Sequence, residues 1–341
     1  MFAIGIRKFW EAALYTSAIL LLAHSVIAAE DAQLTIQTGA PALNKINTDG
    51  GTGQYKPAIH VEDKGLPSGH TIFRPKDLSP FGKKNPLPLL FCAGVAKQGL
   101  LSEIASHGFL VLSLGFASTP GQQPAEIQKQ SSNFLNDLDW VIKENARSES
   151  PYYQKLDTTK IAVAGTSASG LRAIDATIQD SRVTTTIAWS SGTYGGEFAS
   201  KIDELRGAAP GGAMPGAGPG AATAGNQGGT PQGVSMPNIT KDDLQKLHTP
   251  ILYLVGSKDM VLEFAKVDFE CITKVPVVVA IRDGMGHGEP DDLNGGAYGV
   301  LSSAWLEWQL KGDSEAANMF KGKECGACKD SKWQMMKKNI D

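Results

Sequence analysis

The sequence lacks the features that mark several large classes of protein. Its 341 residues contain 32 Lys and Arg against 35 Asp and Glu, giving a net charge of -3. It has no block of about five or more like charges, so we expect neither a nucleic-acid binder nor a partner held by charge alone. The mean hydropathy of -0.15 excludes a polytopic membrane protein.

Long hydrophobic runs are also missing, apart from one apolar stretch near the N-terminus. This stretch, residues 12–27, follows Arg7 and Lys8, is interrupted by polar residues and ends in small ones. It is short for a transmembrane anchor and typical of a signal peptide. We predict a signal peptide over 1–28, removed after Ala28, then a flexible segment over 29–52 and a folded domain over 53–341. The protein is expected to be secreted or periplasmic, without a stable membrane partner.

Cysteine is scarce, with four in the chain. Cys325 and Cys328 can close a small loop, and disulfides persist outside the cytosol, so we predict a structural disulfide between them. A zinc site would need a second pair of ligands, and Cys92 and Cys271 stand alone. Cys92 lies in an apolar run and is predicted to be a core residue. Cys271 is left unassigned, and no metal or cofactor is implied.

From about residue 85 onward, strand-like and helix-like patterns alternate. Apolar runs of strand length, bounded by Gly, Pro or polar residues, occupy 87–94, 109–115, 160–165, 183–189, 251–256 and 275–281. Helical patterns lie between and after them, at 100–106, 131–146, 170–177, 240–247, 261–272 and 299–310. This alternation predicts a mostly parallel, doubly wound sheet in a single α/β domain. Residues 53–80 are predicted to add antiparallel strands at one edge.

One segment breaks this alternation. Residues 207–233 consist almost entirely of Gly, Ala and Pro and have no apolar period. Such a composition buries too little surface to offset the entropy of ordering, so we predict a mobile surface loop. A tolerated insertion and a regulated lid are both open interpretations.

The segment 160–170 carries the clearest chemical signal. A buried strand runs into Gly165-Thr-Ser-Ala-Ser-Gly170, and a helical pattern follows at once. This is the context of a nucleophile elbow, in which a strained turn exposes a serine hydroxyl. The strict Gly-x-Ser-x-Gly pattern occurs nowhere, because Ser169 takes the place of the last glycine. Gly-x-Ser also occurs at Ser235 and Ser314, but neither lies between a strand and a helix, so Ser167 is the predicted nucleophile.

A serine hydroxyl needs a base and an orienting acid to become a nucleophile. In this fold the acid and the histidine follow the serine in that order, after later strands. Asp259 follows the strand 251–256, and His287 follows the strand 275–281. Of the six histidines, His287 alone has this position. Asp283 and Glu263 are rivals to Asp259 as the acid.

A tetrahedral intermediate needs two donors for its oxyanion. We predict the backbone N–H groups of Ala168, directly after the serine, and of Val95, in the loop after the strand 87–92. Trp189, at the exit of the strand 183–189, is a candidate wall of the substrate pocket. Ordinary packing is an equal alternative for this tryptophan.

These motifs resemble the secreted α/β-hydrolases. The stretches 104–113, 156–167, 294–299 and 304–313 are similar to the group that includes dienelactone-hydrolase-like esterases and cutinase-type polyester hydrolases. The similarity runs from about residue 55 to the C-terminus, outside the Gly/Pro/Ala segment. It implies an α/β-hydrolase fold and carries the same roles onto Ser167, Asp259 and His287. It also implies that Val95 and Ala168 form the oxyanion hole and that Trp189 lies against the substrate.

The predicted function is therefore that of an exported serine esterase acting on a small or polymeric carboxylic ester. An amidase, peptidase or acyltransferase with the same triad is an alternative within enzymes. A non-catalytic binding protein on this scaffold is an alternative from a different class.

Overall fold

The computed structural model describes residues 51–60, 70–92, 98–114, 134–194, 237–288 and 292–340. The predicted signal peptide, nearly all of the segment 29–52 and the Gly/Pro/Ala segment 207–233 lie outside these residues. The described residues fall within one compact unit, Asn47–Asp341.

The described strands form one sheet in the order β1-β2-β4-β3-β5-β6-β7-β8-β9. The strands from β3 to β8 are parallel to one another, whereas β1, β2 and β9 pair antiparallel with their neighbours. The strands are β1 Pro57–His60, β2 His70–Pro75, β3 Leu87–Cys92, β4 Leu110–Leu114, β5 Leu156–Thr166, β6 Val183–Trp189, β7 Ile251–Gly256, β8 Val277–Arg282 and β9 Trp333–Lys338. The mostly parallel sheet and the antiparallel edge before residue 80 confirm the prediction.

Helices cover the sheet between the strands. They are α1 Gln98–Ser106, α2 Phe134–Ala146, α3 Ala168–Gln179, α4 Leu262–Cys271, α5 Gly296–Lys311, α6 Ser314–Ala317 and α7 Gly326–Lys329, with 3-10 turns at Asp242–Lys246 and Leu293–Gly295. Residues 240–247, predicted as a helix, therefore form only a short 3-10 turn. Strand β8 begins at Val277, later than predicted, because Pro276 has no N–H for the ladder.

Alternate residues of each central strand enter the core on opposite faces of the sheet. In β3, Leu90 and Cys92 pack with residues of α1 and α5. Leu89 and Phe91 pack on the other face with residues of α2. Strands such as β4, β7 and β8 are apolar along most of their length because both of their faces are covered. Because β3 to β8 are parallel to one another, their carboxyl ends lie along one edge of the sheet.

The C-terminal region adds an edge strand that the sequence did not predict. Strand β9 pairs antiparallel with β8, from Val277 opposite Lys338 to Arg282 opposite Trp333. Its sequence, Trp-Gln-Met-Met-Lys-Lys, has no clear alternation, so the pattern gave no signal.

The cysteines lie largely as predicted. The Cα atoms of Cys325 and Cys328 are 4.9 Å apart and their sulfurs are within bonding distance, as the predicted disulfide requires. Cys92 is buried in the core, and Cys271 is half-buried. No helix in the described ranges is both long enough and apolar enough to cross a bilayer.

Candidate active site

Ser167 lies at a sharp turn between β5 and α3. Its backbone has φ 54° and ψ -120°, a conformation that costs a non-glycine residue on the order of 1–3 kcal/mol. A Cβ on Gly165 would collide with the backbone of Ser169, and one on Gly170 would collide with the side chain of Ser191. The two glycines let strand and helix approach closely enough to form this strained turn.

The serine that replaces the last glycine of the usual motif is accommodated. Ser169 is half-buried in the first turn of α3. The residue of α3 that has no room for a side chain is instead Gly170, the next residue, which packs against the side chain of Ser191. The elbow therefore forms with the sequence Gly165-Thr-Ser-Ala-Ser-Gly170.

The loops after β7 and β8 bring an acid and a histidine to this turn. Nε2 of His287 lies 3.0 Å from Oγ of Ser167, and Nδ1 of His287 lies 2.8 Å from Oδ1 of Asp259. A carboxylate only accepts hydrogen bonds, so Nδ1 carries the proton and Nε2 of the neutral ring accepts from the serine hydroxyl. These three side chains, 120 residues apart at the extremes, form one continuous hydrogen-bonded chain.

Asp259 is buried, whereas the side chain of His287 is 27% exposed. Oδ1 of Asp259 also accepts from the backbone N–H of Val261, 3.0 Å away. Oδ2 of Asp259 is buried and has no hydrogen-bond partner in the described structure. The carboxylate of Asp259 is therefore enclosed by protein and fixes the orientation of the imidazole through a single oxygen.

The structure does not bring the rival acids to His287. Asp283 is exposed and accepts a hydrogen bond from Oγ of Ser257 at 3.3 Å. Glu263 lies on α4, where its 76%-exposed side chain pairs with Lys266 at 2.8 Å. Both carboxylates are engaged away from the imidazole that Asp259 contacts.

One of the two predicted oxyanion donors lies within the described residues. Ala168 is the first residue of α3, and the first N–H groups of a helix have no intrahelical partner. This N–H is therefore free of the helical ladder next to Oγ of Ser167. Val95 lies outside the described residues.

Trp189 lies in the core and not at the surface of the site. Its side chain is fully buried in the core, and its indole N–H donates to Oγ of Ser302 on α5 at 2.9 Å. A ring enclosed on all sides does not form the wall of an open pocket. The burial fits the packing alternative, and the contribution of Trp189 to the turn is its carbonyl, which accepts from the N–H of Ser167 at 3.0 Å.

Sequence reasoning missed two serines that directly follow β6. Ser190 is buried, and its Oγ is 3.0 Å from the N–H and 3.1 Å from the carbonyl of Gly288. Ser191 is buried too, and its Oγ donates to the carbonyl of Ser167 at 2.8 Å. Their place at the carboxyl end of a central strand was the available signal. Within the described ranges, no group of three or more His, Cys, Asp or Glu is placed to hold a metal ion.

Comparison with known proteins agrees with this architecture. A family model described as "PETase: PET hydrolase-like" matches residues 91–191, from the end of β3 through the elbow to the residues after β6. No curated protein matches the chain. The sheet and this match together confirm the α/β-hydrolase fold and the resemblance to an ester-hydrolysing family.

Proposed function

We propose that this α/β hydrolase is an exported serine esterase that cleaves carboxylic esters through an acyl-enzyme. The observation that carries the proposal is the chain from Oγ of Ser167 through His287 to Asp259, set on a strained turn. The match to a polyester-hydrolase family supports an ester substrate, either small or polymeric. Esters of aromatic carboxylic acids, the class to which PET belongs, are the first substrates to test.

In the first half-reaction, Oγ of Ser167 attacks the ester carbonyl carbon while its proton moves to Nε2 of His287. The buried carboxylate of Asp259 stabilises the imidazolium that forms. The backbone N–H of Ala168, with that of Val95, stabilises the oxyanion of the tetrahedral intermediate. The carbon–oxygen bond to the alcohol then breaks, and the alcohol leaves with the proton from Nε2.

The second half-reaction repeats these steps with water. His287 takes a proton from water as the oxygen attacks the acyl-enzyme, then returns a proton to Oγ of Ser167 as the carboxylic acid departs. The strained turn at Ser167 keeps the nucleophile in place through both halves. Because the ring of His287 is partly exposed, water and the leaving alcohol can reach Nε2.

The central test is the variant Ser167→Ala with an activated aryl ester and its matched amide. We expect a loss of about 10⁶-fold in kcat, because the nucleophile is gone. An organophosphonate ester should label the wild type at Ser167, with the adduct located by peptide mass spectrometry.

The matched control is Ser314→Ala, which removes a serine of another Gly-x-Ser sequence at the start of α6. This variant should keep wild-type turnover and labelling. Labelling at a residue other than Ser167, or turnover retained in Ser167→Ala, contradicts the proposal. Faster cleavage of the amide than of the ester indicates an amidase instead.

Export is tested by expression of the full chain in a secreting host. A mature protein that begins at Ala29, recovered outside the cytoplasm, is the expected result. A protein that retains residues 1–28 in the membrane fraction contradicts export with cleavage.

A further inference from the structure

We propose that Ser190 and Ser191 form a positioning pair that sets the distance between the nucleophile and the histidine. The inference rests on the proposed function, because it assigns a role in the same reaction. Neither serine contacts the reacting atoms. Ser191 acts through the backbone of Ser167, and Ser190 acts through the backbone of Gly288, the residue after His287.

Ser190 holds the chain immediately after His287. Its Oγ accepts from the N–H of Gly288 at 3.0 Å and donates to the carbonyl of the same residue at 3.1 Å. A single hydroxyl thus fixes both polar groups of one residue. The hydroxyl is itself fixed, because Ser190 is fully buried and its N–H donates to the carbonyl of Leu254 in β7 at 2.7 Å.

The loop that carries His287 needs such a constraint. It includes Gly284, Gly286 and Gly288, and a Cβ added at any of them would meet no atom within 4 Å, so no neighbour fixes these residues on the side where a side chain would lie. Glycine also has the greatest backbone freedom to lose on ordering. Before His287, the loop is held by the N–H of Lys258, which donates to the carbonyl of Met285 at 2.8 Å, by the N–H of Gly284, which donates to Oγ of Ser257 at 2.9 Å, and by close packing on Gly256. After His287, the described contacts of Gly288 are those to Ser190.

Ser191 acts on the nucleophile, Ser167. Its Oγ donates to the carbonyl of Ser167 at 2.8 Å, and the same side chain packs against Gly170 in the first turn of α3. The N–H of Ser167 is held in turn by the carbonyl of Trp189. Three consecutive residues, 189–191, therefore hold the nucleophile from one side and the histidine loop from the other.

The backbone of Ser190 is strained in this arrangement. Its φ is 40°, in the left-handed region that few non-glycine residues adopt. Glycine would relieve this strain, but it has no hydroxyl for Gly288. The geometry points to a serine at position 190 for its hydroxyl, with the 3.0 Å separation of Nε2 and Oγ as the result.

The test compares Ser190→Ala, Ser190→Gly and Ser190→Cys in the full-length protein. Both variants without a donor should lower kcat by about 10²-fold, the cost of a displacement near 1 Å, while KM changes by less than about threefold. Ser190→Cys keeps a weak donor and acceptor and should recover part of kcat. Ser191→Ala should cost less, because the N–H of Ser167 still bonds to Trp189.

Rates are referred to the concentration of sites titrated by the organophosphonate, so that unfolded protein does not lower the apparent kcat. A second readout is the NMR signal of the proton on Nδ1 of His287, which should broaden in Ser190→Ala as the ring loses its fixed orientation. Ser303→Ala is the matched control: Ser303 is also buried, on α5, and its Oγ has no hydrogen-bond partner in the described structure. This control should keep wild-type kcat and the sharp signal.

A lowered melting temperature with wild-type kcat per titrated site in Ser190→Ala would mean a purely structural serine and overturns the inference. Wild-type kcat in Ser190→Gly overturns the inference as well, because catalysis would then not need the hydroxyl at position 190. These results differ from failure of the proposed function, in which Ser167→Ala itself keeps turnover.

Discussion

His287 and His107 each have a carboxylate within hydrogen-bonding distance, but their second ring nitrogens have different partners. In His287, Nδ1 faces Asp259 and Nε2 faces the hydroxyl of Ser167. In His107, Nδ1 faces Glu307 at 3.0 Å and Nε2 faces Glu103 at 3.1 Å. A hydroxyl can donate to a neutral ring, whereas carboxylates on both nitrogens require both to carry a proton.

The surroundings of His107 favour a cation at neutral pH. Partial burial acts to lower its pKa, but the hydrogen bonds to Glu103 and Glu307 outweigh burial and raise the pKa to about 9. Burial likewise acts to raise the pKa of Glu103, but bonds from His107 and Thr52 leave it below its ordinary value. The cluster joins α1 to α5 and, through Thr52, holds the chain that precedes β1.

The comparison teaches that a histidine–carboxylate contact alone does not indicate catalysis. His107 is half-buried and saturated by two carboxylates, so it has no nitrogen free to accept a proton near neutral pH. His287 retains an accepting nitrogen aimed at a hydroxyl on a strained turn. The first arrangement fastens two helices, and the second can transfer protons.

Among the changes that test this comparison, the largest effect is expected from Asp259→Asn, which removes the carboxylate that contacts His287. The amide of Asp259→Asn can donate to Nδ1 and thereby place the ring proton on Nε2, where it cannot accept from Ser167. We expect a fall of about 10⁴-fold in kcat with KM little changed. Steady-state kinetics on an aryl ester measures it. Asp283→Asn, which alters an exposed carboxylate at the same sheet edge, is the control and should stay near wild type; the opposite ranking would make Asp283 the acid.

A smaller effect, on stability and not on chemistry, is expected from His107→Gln. This change leaves the buried Glu103 without its cation, which costs on the order of 3 kcal/mol in the free energy of unfolding. Urea denaturation measures the cost, and kcat per titrated site should remain at the wild-type value. His248→Gln, at an exposed histidine before β7, should change stability by less than about 0.5 kcal/mol. A loss of kcat in His107→Gln without a loss of stability would break the distinction between the two histidines.

The smallest effect is a pH dependence of that stability difference. The folded-state pKa of His107, about 9, is above its ordinary value of 6.5, so its contribution is fully present below pH 6.5 and is lost as pH rises through 9. The gap in unfolding free energy between wild type and His107→Gln should therefore be largest near pH 6 and shrink by pH 9.5. A gap that is constant over this range would mean that the ring is not a cation in the fold.

Sequence patterns predicted the parts of this protein that depend on local order along the chain. The strands at 183–189 and 251–256 have the predicted bounds, because each is a run of β-branched and apolar residues that is followed by a serine, Ser190 or Ser257. The elbow was predicted because a buried strand, Gly165 and a helical pattern are adjacent in the sequence. The helix predicted over 240–247 was wrong, since Thr240 and Asp243 bond to each other in a short 3-10 turn, and strand β9 was missed, since it is stabilised by pairing with β8 and not by an apolar period.

In the site, too, some features follow from the sequence pattern and others do not. The order of serine, acid and histidine restricted the candidates to a few residues at one sheet edge. The pattern could not place Trp189, because a tryptophan at the end of a strand can point into the core or out of it. It also gave no sign of the contacts of Ser190, which join residues 98 positions apart.

The sequence by itself determined the alternating α/β architecture, the strained turn at Ser167 and the loops that present Asp259 and His287, because these follow from short-range patterns. Only the tertiary structure decided that Asp259 and not Asp283 meets the imidazole, that Ser190 holds Gly288, and that His107 lies between two carboxylates. The physical reason is distance. Hydrogen bonds form within about 3 Å, and the folding of the whole sheet determines which loops come that close.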